Sequence, residues 1–198
     1  MNKTVAIANY FIALGISEKL VDSAPPKIIA LSYFAHGWFL GLTGKPLIDG
    51  EFIATSTGPD LPALSRMMRP YGNDRITDLL RVLTPDPKVP GRATRAAPII
   101  PANSPLQVIL SKVWKGLGRV GVYTLSDLTC APYTPWASAW YGDDRQGRDS
   151  VPISNDKLKD WFEERRVRVG GRMDISLDAL KMSAYSRFAG GNVDESEA

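Results

Sequence analysis

Between Ile28 and Leu42 almost every direction around a helix is apolar: Ile28, Ile29, Leu31, Tyr33, Phe34, Trp38, Phe39 and Leu42 leave no polar face. A helix that is greasy all round must be packed on several sides, so this segment sets the architecture: other elements have to surround it. Pro25-Pro26 supplies its start, because proline is tolerated in a first turn whose N–H groups have no partner within the helix. Thr43-Gly44-Lys45-Pro46 supplies its end, a glycine cap followed by a proline. The run contains Ser32, His36 and Gly37 and falls short of the ~20 apolar residues needed to span a bilayer. Leu31, Phe34, Ala35, Trp38 and Phe39 are expected in the core.

Helical periodicity dominates the rest of the chain. A first helix is expected over Thr4–Leu14. It is read as a helix and not a secretory leader, because Asn9 and Tyr10 interrupt the apolar run and no small-residue cleavage site follows. Asp49-Gly50 beside Phe52-Ile53-Ala54 signals a small hairpin or extended loop. Gly58-Pro59 leads into a helix through Leu61, Leu64, Met67 and Met68, and Ile76, Leu79, Leu80 and Leu83 keep helical spacing. Six prolines within residues 84–105 predict a surface strap. Ser104-Pro105 then starts the cleanest amphipathic stripe, Leu106, Ile109, Leu110, Val113, Trp114 and Leu117.

Short helices are expected from Thr124 and from Thr134-Pro135-Trp136, and a longer one after Ser154 with Leu158, Trp161 and Phe162 inside. Beyond Gly170-Gly171, Ser176 could cap a last helix bearing Leu177, Leu180, Ala184 and Phe188, before a disordered acidic tail. The expected fold is mostly α: one domain over residues 1–169, about seven helices and a small β-hairpin, with a helical extension over 170–198.

The 198 residues contain one Cys and one His. That excludes an intramolecular disulfide framework and the clustered thiolates and imidazoles of a structural zinc site, and it fits a cytoplasmic protein. No Ser/Asp or Cys/Asp pair stands beside His36 to make a nucleophile and base, so His36 reads as a buried, hydrogen-bonded residue or part of a contact surface. Cys130 has no cationic helical neighbour and reads as a structural thiol. Asp143-Asp144 and Glu163-Glu164 read as solvated pairs. Gly116-Leu-Gly118-Arg-Val-Gly121 satisfies GxGxxG, but it follows a helix where a dinucleotide site needs a strand, and so reads as a helix end and loop. Neither a catalytic constellation nor a cofactor site emerges, and an enzyme is not expected.

Charge is the remaining signal. Residues 66–119 carry 10 basic and 3 acidic side chains, against a total net charge of +3. Arg66, Arg69, Arg75, Arg81, Arg92, Arg95, Lys112, Lys115 and Arg119 could balance the acidic C-terminal third as solvated charge. They could also form a face for an acidic protein or nucleic acid. Without a helix-turn-helix, zinc-finger or RNP-like signal, a protein partner is the better reading.

Several of these stretches resemble a known family. Ala8-Asn-Tyr-Phe-Ile12, Lys27 to Leu40 with Tyr33-Phe-Ala-His-Gly-Trp38, Thr43-Gly-Lys-Pro-Leu47, Gly58-Pro-Asp-Leu-Pro-Ala-Leu64, Tyr71-Gly72, Leu125-Ser-Asp-Leu-Thr129 and Thr134-Pro-Trp136 follow one another as in the Panacea domain. This is the SocA-like antitoxin family, which includes phage-associated GepA-like proteins. The resemblance spans roughly residues 4–165. It departs in the long proline-rich segment, in the small residues Ala54 to Thr57, and in the C-terminal extension.

The resemblance implies a helical domain that acts by binding, in a bacterial cytoplasm or that of a phage's host. Its partner would be a toxin, neutralised by contact or delivered to a protease by the domain acting as an adaptor. It places Tyr33, His36, Pro59, Arg66 and Trp136 in recurrent motifs, and with Arg69, Arg92 and Arg95 these are the candidate contact residues. The competing reading is that these motifs only hold the fold, while the loop 84–103 or the helix after Ser176 chooses the partner. The alternative is a phage-encoded regulator using the basic face on a host protein or nucleic acid. No cofactor, metal or membrane is implied.

Overall fold

The computed structural model describes residues 3–86, 89–142, 146–168, 175–176 and 178–181. The fold is mostly α, a single domain. Among the described residues its helices are α1 (Lys3–Ser17), α2 (Pro25–Thr43), α3 (Pro62–Met68), α4 (Leu106–Leu117), α5 (Val122–Cys130), α6 (Pro135–Trp140) and α7 (Asn155–Arg168), with a 3-10 turn at Arg69–Tyr71 and helical residues at 178–181. The strands are β1 (Ile53–Thr55), β2 (Gly58–Asp60), β3 (Val82–Pro85), β4 (Ala93–Ala96) and β5 (Val151–Pro152).

Helix α2 is the axis of the molecule, as its apolar surface requires. Helices α1, α3, α4, α5 and α7 and strand β2 all pack on it, α7 most extensively. Leu31, Phe34, Ala35 and Trp38 are buried. Phe39 is only half-buried, its ring lying under the Lys3 ammonium at 5.6 Å. Even Lys27 is interior, its Nζ donating to both Asp22 carboxylate oxygens at 2.8 Å. That pairing removes the large cost of an uncompensated buried charge. Gly44 ends the helix in the left-handed conformation, φ 68°, with its N–H on Leu40 O.

Close approach explains why α7 fits α2 so intimately. A β-carbon at Gly41 would lie 2.8 Å from the Glu163 backbone nitrogen, and one at Gly37 would collide with the Phe162 ring. Leu158 and Phe162 are fully buried on this seam. Ser154 starts α7, its Oγ accepting from the Asp156 N–H. Thr134 starts α6 in the same way through the Ala137 N–H, and Ser104 Oγ accepts from Leu106 N–H at α4.

Two expectations are corrected. Ile76, Leu79 and Leu80 do not lie on a helix. Their segment is irregular because its backbone finds partners elsewhere: Ile76 N–H donates to Ser23 O, and Leu80 N–H donates to Asn9 Oδ1. The proline-rich segment is not simply a strap either, since β3 and β4 pair antiparallel with Leu83 opposite Arg95. Pro85 sits at the strand end, where a missing N–H costs little.

The expected small hairpin exists as β1–β2, but its turn lies at Ser56-Thr57, beyond Asp49-Gly50. Strand β5 joins its other side, giving the order β2-β1-β5. Gly116 is inside α4, against the Ile175 carbonyl, and Gly118 caps that helix with no strand before it. Ser176 Oγ accepts from Ala179 N–H, and Ile175 and Leu180 are buried in the common core. Asp143-Asp144, Gly170-Gly171, Leu177, Ala184, Phe188 and the acidic tail lie outside the described residues. No described helix is long and apolar enough to cross a membrane.

Candidate functional site

A cavity of about 770 Å³ opens between the start of α2, the β1–β2 hairpin, α3 with its 3-10 turn, and α5. Pro25, Pro26, Ile29 and Ala30 of α2 form one wall, with Met68 beside them. Thr55, Thr57, Pro59 and Asp60 bring the hairpin to the rim, and Val122, Ser126 and Thr129 of α5 close the far side. Arg66, Arg69, Gly72 and Asn73 complete it.

The hairpin is fixed in place by hydrogen bonds from behind. Trp136 Nε1 donates to Thr55 O at 3.0 Å, Ser126 Oγ donates to Thr57 O at 3.2 Å, and Thr55 Oγ1 donates to Gly58 O at 2.9 Å. Gly58 adopts φ 127°, a conformation that side chains other than glycine resist. Tyr33 lies beneath, edge-on to Phe52 with ring centres 5.3 Å apart. His36 lies next to it, 5.4 Å from the same ring.

Of the residues expected to touch a partner, the structure brings Pro59, Arg66 and Arg69 together on this cavity. It withdraws Tyr33, His36 and Trp136, whose side chains are buried and hold the scaffold. Those three have almost no surface of their own to offer a partner. Arg92 and Arg95 stand elsewhere, at the β3–β4 hairpin. Arg92 faces Asp86 at 3.9 Å, and Arg95 is exposed on β4. Sequence reasoning missed the floor, Ile29 and Ala30, and the rim residues Asn73, Ser126 and Thr129. Only the Pro25-Pro26 pair marked that end of α2, and it reads equally as a helix start.

The free chemistry of the cavity is cationic. Thr55 and Thr57 hydroxyls bond to one another at 3.2 Å, Thr129 Oγ1 donates to Ser126 O, and Ser65 Oγ donates to the Asp60 carboxylate. Arg66 and Arg69 are exposed and, among the described residues, pair with no acid. Nearby Cys130 is held as a thiol, its pKa raised chiefly by burial. The Tyr33 phenol is likewise raised by burial, and its Oη has no partner. Neither is a ready nucleophile.

No family model matches the chain, and no solved structure matches it. Among curated proteins it is similar to Antitoxin SocA of Caulobacter vibrioides (strain NA1000 / CB15N), with 27% identity over 165 residues. The alignment covers 79% of this chain and 85% of that one. Cavity, hairpin and central helix thus belong to a chain similar to an antitoxin over most of its length.

Proposed function

We propose that this protein is an antitoxin of the Panacea, SocA-like kind. It neutralises a toxin by direct contact in the cytoplasm of a bacterium or of a phage's host, and Pro59, Arg66 and Arg69 lie at the contact. The similarity to a curated antitoxin across most of both chains carries this reading. The exposed arginines support it, since Arg is among the residues most often found at interface hot spots. The buried Tyr-Phe-Ala-His-Gly-Trp stretch then acts indirectly, by holding the hairpin and α2 where the contact needs them.

The test starts from the reading frame adjacent to this gene. Its product should arrest growth when expressed alone and be harmless when this protein is co-expressed. Titration of the purified pair should end at equimolar ratio, because each antitoxin molecule must occupy one toxin surface. Arg66→Ala should weaken the complex while leaving the melting temperature unchanged. An inert neighbour, or full neutralisation by trace amounts without a protease, would remove direct-contact neutralisation from consideration.

A further inference from the structure

The polar groups around the cavity are not equally available, and the difference says what the cavity is built to receive. Its hydroxyls are used within the fold, and its one carboxylate, Asp60, accepts from Ser65. Besides the exposed Asn73 amide, what remains free is the cationic pair Arg66 and Arg69, three residues apart and so on one side of the chain as α3 runs into its 3-10 turn. Both guanidinium groups are exposed, and a carboxylate brought to either would add charge-assisted hydrogen bonds. Beside them the accessible lining includes hydrocarbon: Pro26 is exposed and Pro59 and Val122 are half-buried, while Ile29, Ala30 and Met68 are buried behind them.

Strand addition is the wrong mode of binding here. The edge strand β2 has only three residues, and its middle one, Pro59, has no N–H to donate to an incoming chain. Recognition must therefore run through side chains. We infer that the cavity receives a short acidic segment of the partner protein, with carboxylates on Arg66 and Arg69 and an apolar side chain against Pro26 and Val122. This rests on the antitoxin reading for its biological partner, though not for its chemistry.

A random dodecapeptide library displayed on phage, selected on the immobilised full chain, tests it. The selected peptides should be rich in Asp and Glu and carry at least one large apolar residue. A fluorescein-labelled peptide from that pool should lose affinity about tenfold or more on the double variant Arg66→Glu, Arg69→Glu, the scale of losing hydrogen bonds between charged groups. It should bind normally to Lys112→Glu, Lys115→Glu, which changes the net charge equally on the exposed side of α4.

Arg66→Gln, Arg69→Gln, checked for an unchanged melting temperature, separates lost pairing from a folding defect. Selection of basic or neutral peptides, or of none, overturns the inference. So does a peptide indifferent to the Arg66 and Arg69 changes, or one weakened as much by the α4 variant. The two readings fail separately. Neutralisation of the adjacent toxin with no acidic selection leaves the antitoxin standing and removes the acidic segment. Acidic selection with no toxin to neutralise does the reverse.

Discussion

Nε2 of His36 lies 2.9 Å from Oδ1 of Asn155, tying the middle of α2 to the first residue of α7. The other ring nitrogen, Nδ1, accepts from the Ile48 N–H at 3.2 Å, so the proton of the neutral ring belongs on Nε2, which donates to Asn155. A second proton would bring Nδ1–H against the Ile48 N–H, donor to donor. Burial lowers the His36 pKa, the Asn155 bond opposes that, and the Lys3 charge adds to it.

Stability should therefore fall on mild acidification. With the folded pKa below the ordinary 6.5, the unfolded chain binds the extra proton first, and stability is lost as pH drops through and below that value. Melting followed between about pH 7.5 and 5.5, where histidine is the side chain that ordinarily titrates, should show this loss. His36→Leu should lower stability at both ends and flatten the slope. A variant with the wild-type slope would assign it elsewhere.

Trp38 should be a pillar of the core. It is 1% exposed and packs edge-on against Phe162 with ring centres 5.2 Å apart. Trp38→Ala should cost about 3–5 kcal/mol in urea unfolding. Trp38→Phe should cost much less, because the indole Nε1 has no partner and its removal relieves a buried unsatisfied donor. An Ala variant that melts like the wild type would contradict the packing.

At Gly41 the usual rule for helices should change sign. Gly→Ala inside a helix ordinarily stabilises by about 0.5–1 kcal/mol. Here the new methyl would meet the α7 backbone, which cannot swing aside as a side chain does. Gly41→Ala should instead destabilise by about 1–3 kcal/mol, read as a lower denaturation midpoint.

Asn9 should matter more than its size suggests. Its Nδ2 donates to Leu80 O and Pro98 O at 2.9 Å, and its Oδ1 accepts from Leu80 N–H at 2.8 Å, all of it buried. Asn9→Ala strands three backbone groups and should cost about 3 kcal/mol or more. Hydrogen exchange should rise at Leu80 in particular.

Duplex DNA should not bind near physiological salt. Arg66 and Arg69 sit on the cavity, while Arg92 and Arg95 belong to a separate hairpin, with Arg92 facing Asp86. A shift in gel mobility that survives such salt and disappears with Arg92→Ala, Arg95→Ala would favour the nucleic-acid alternative.

What could be read from the sequence follows from where backbone groups find their partners. Helix α2 was legible because its apolar surface and its Pro and Gly ends are local facts, and α4 because Ile109, Leu110, Val113, Trp114 and Leu117 are one buried stripe. Residues 72–81 misled because Ile76, Leu79 and Leu80 have helical spacing, while Ser23 and Asn9, far away in sequence, take the N–H groups a helix would have used. Strand β5 escaped notice because two residues carry no pattern. At the site, Tyr33 and Trp136 drew attention by their chemistry but are buried, and His36 is buried and hydrogen-bonded, as one of its two sequence readings has it. Arg66 and Arg69 were legible as free charge.

The seam between α2 and α7 also bears on how the protein is made. His36 and Asn155 are 119 residues apart, so the helix at the centre leaves the ribosome long before the helix that covers its glycines. At ordinary synthesis rates that interval is roughly 6–24 s, during which the glycine face of α2 has no cover from α7. Newborn chains should thus be the most vulnerable to proteases, and a cell that slows translation would lengthen that window and deplete fresh protein before touching the finished pool.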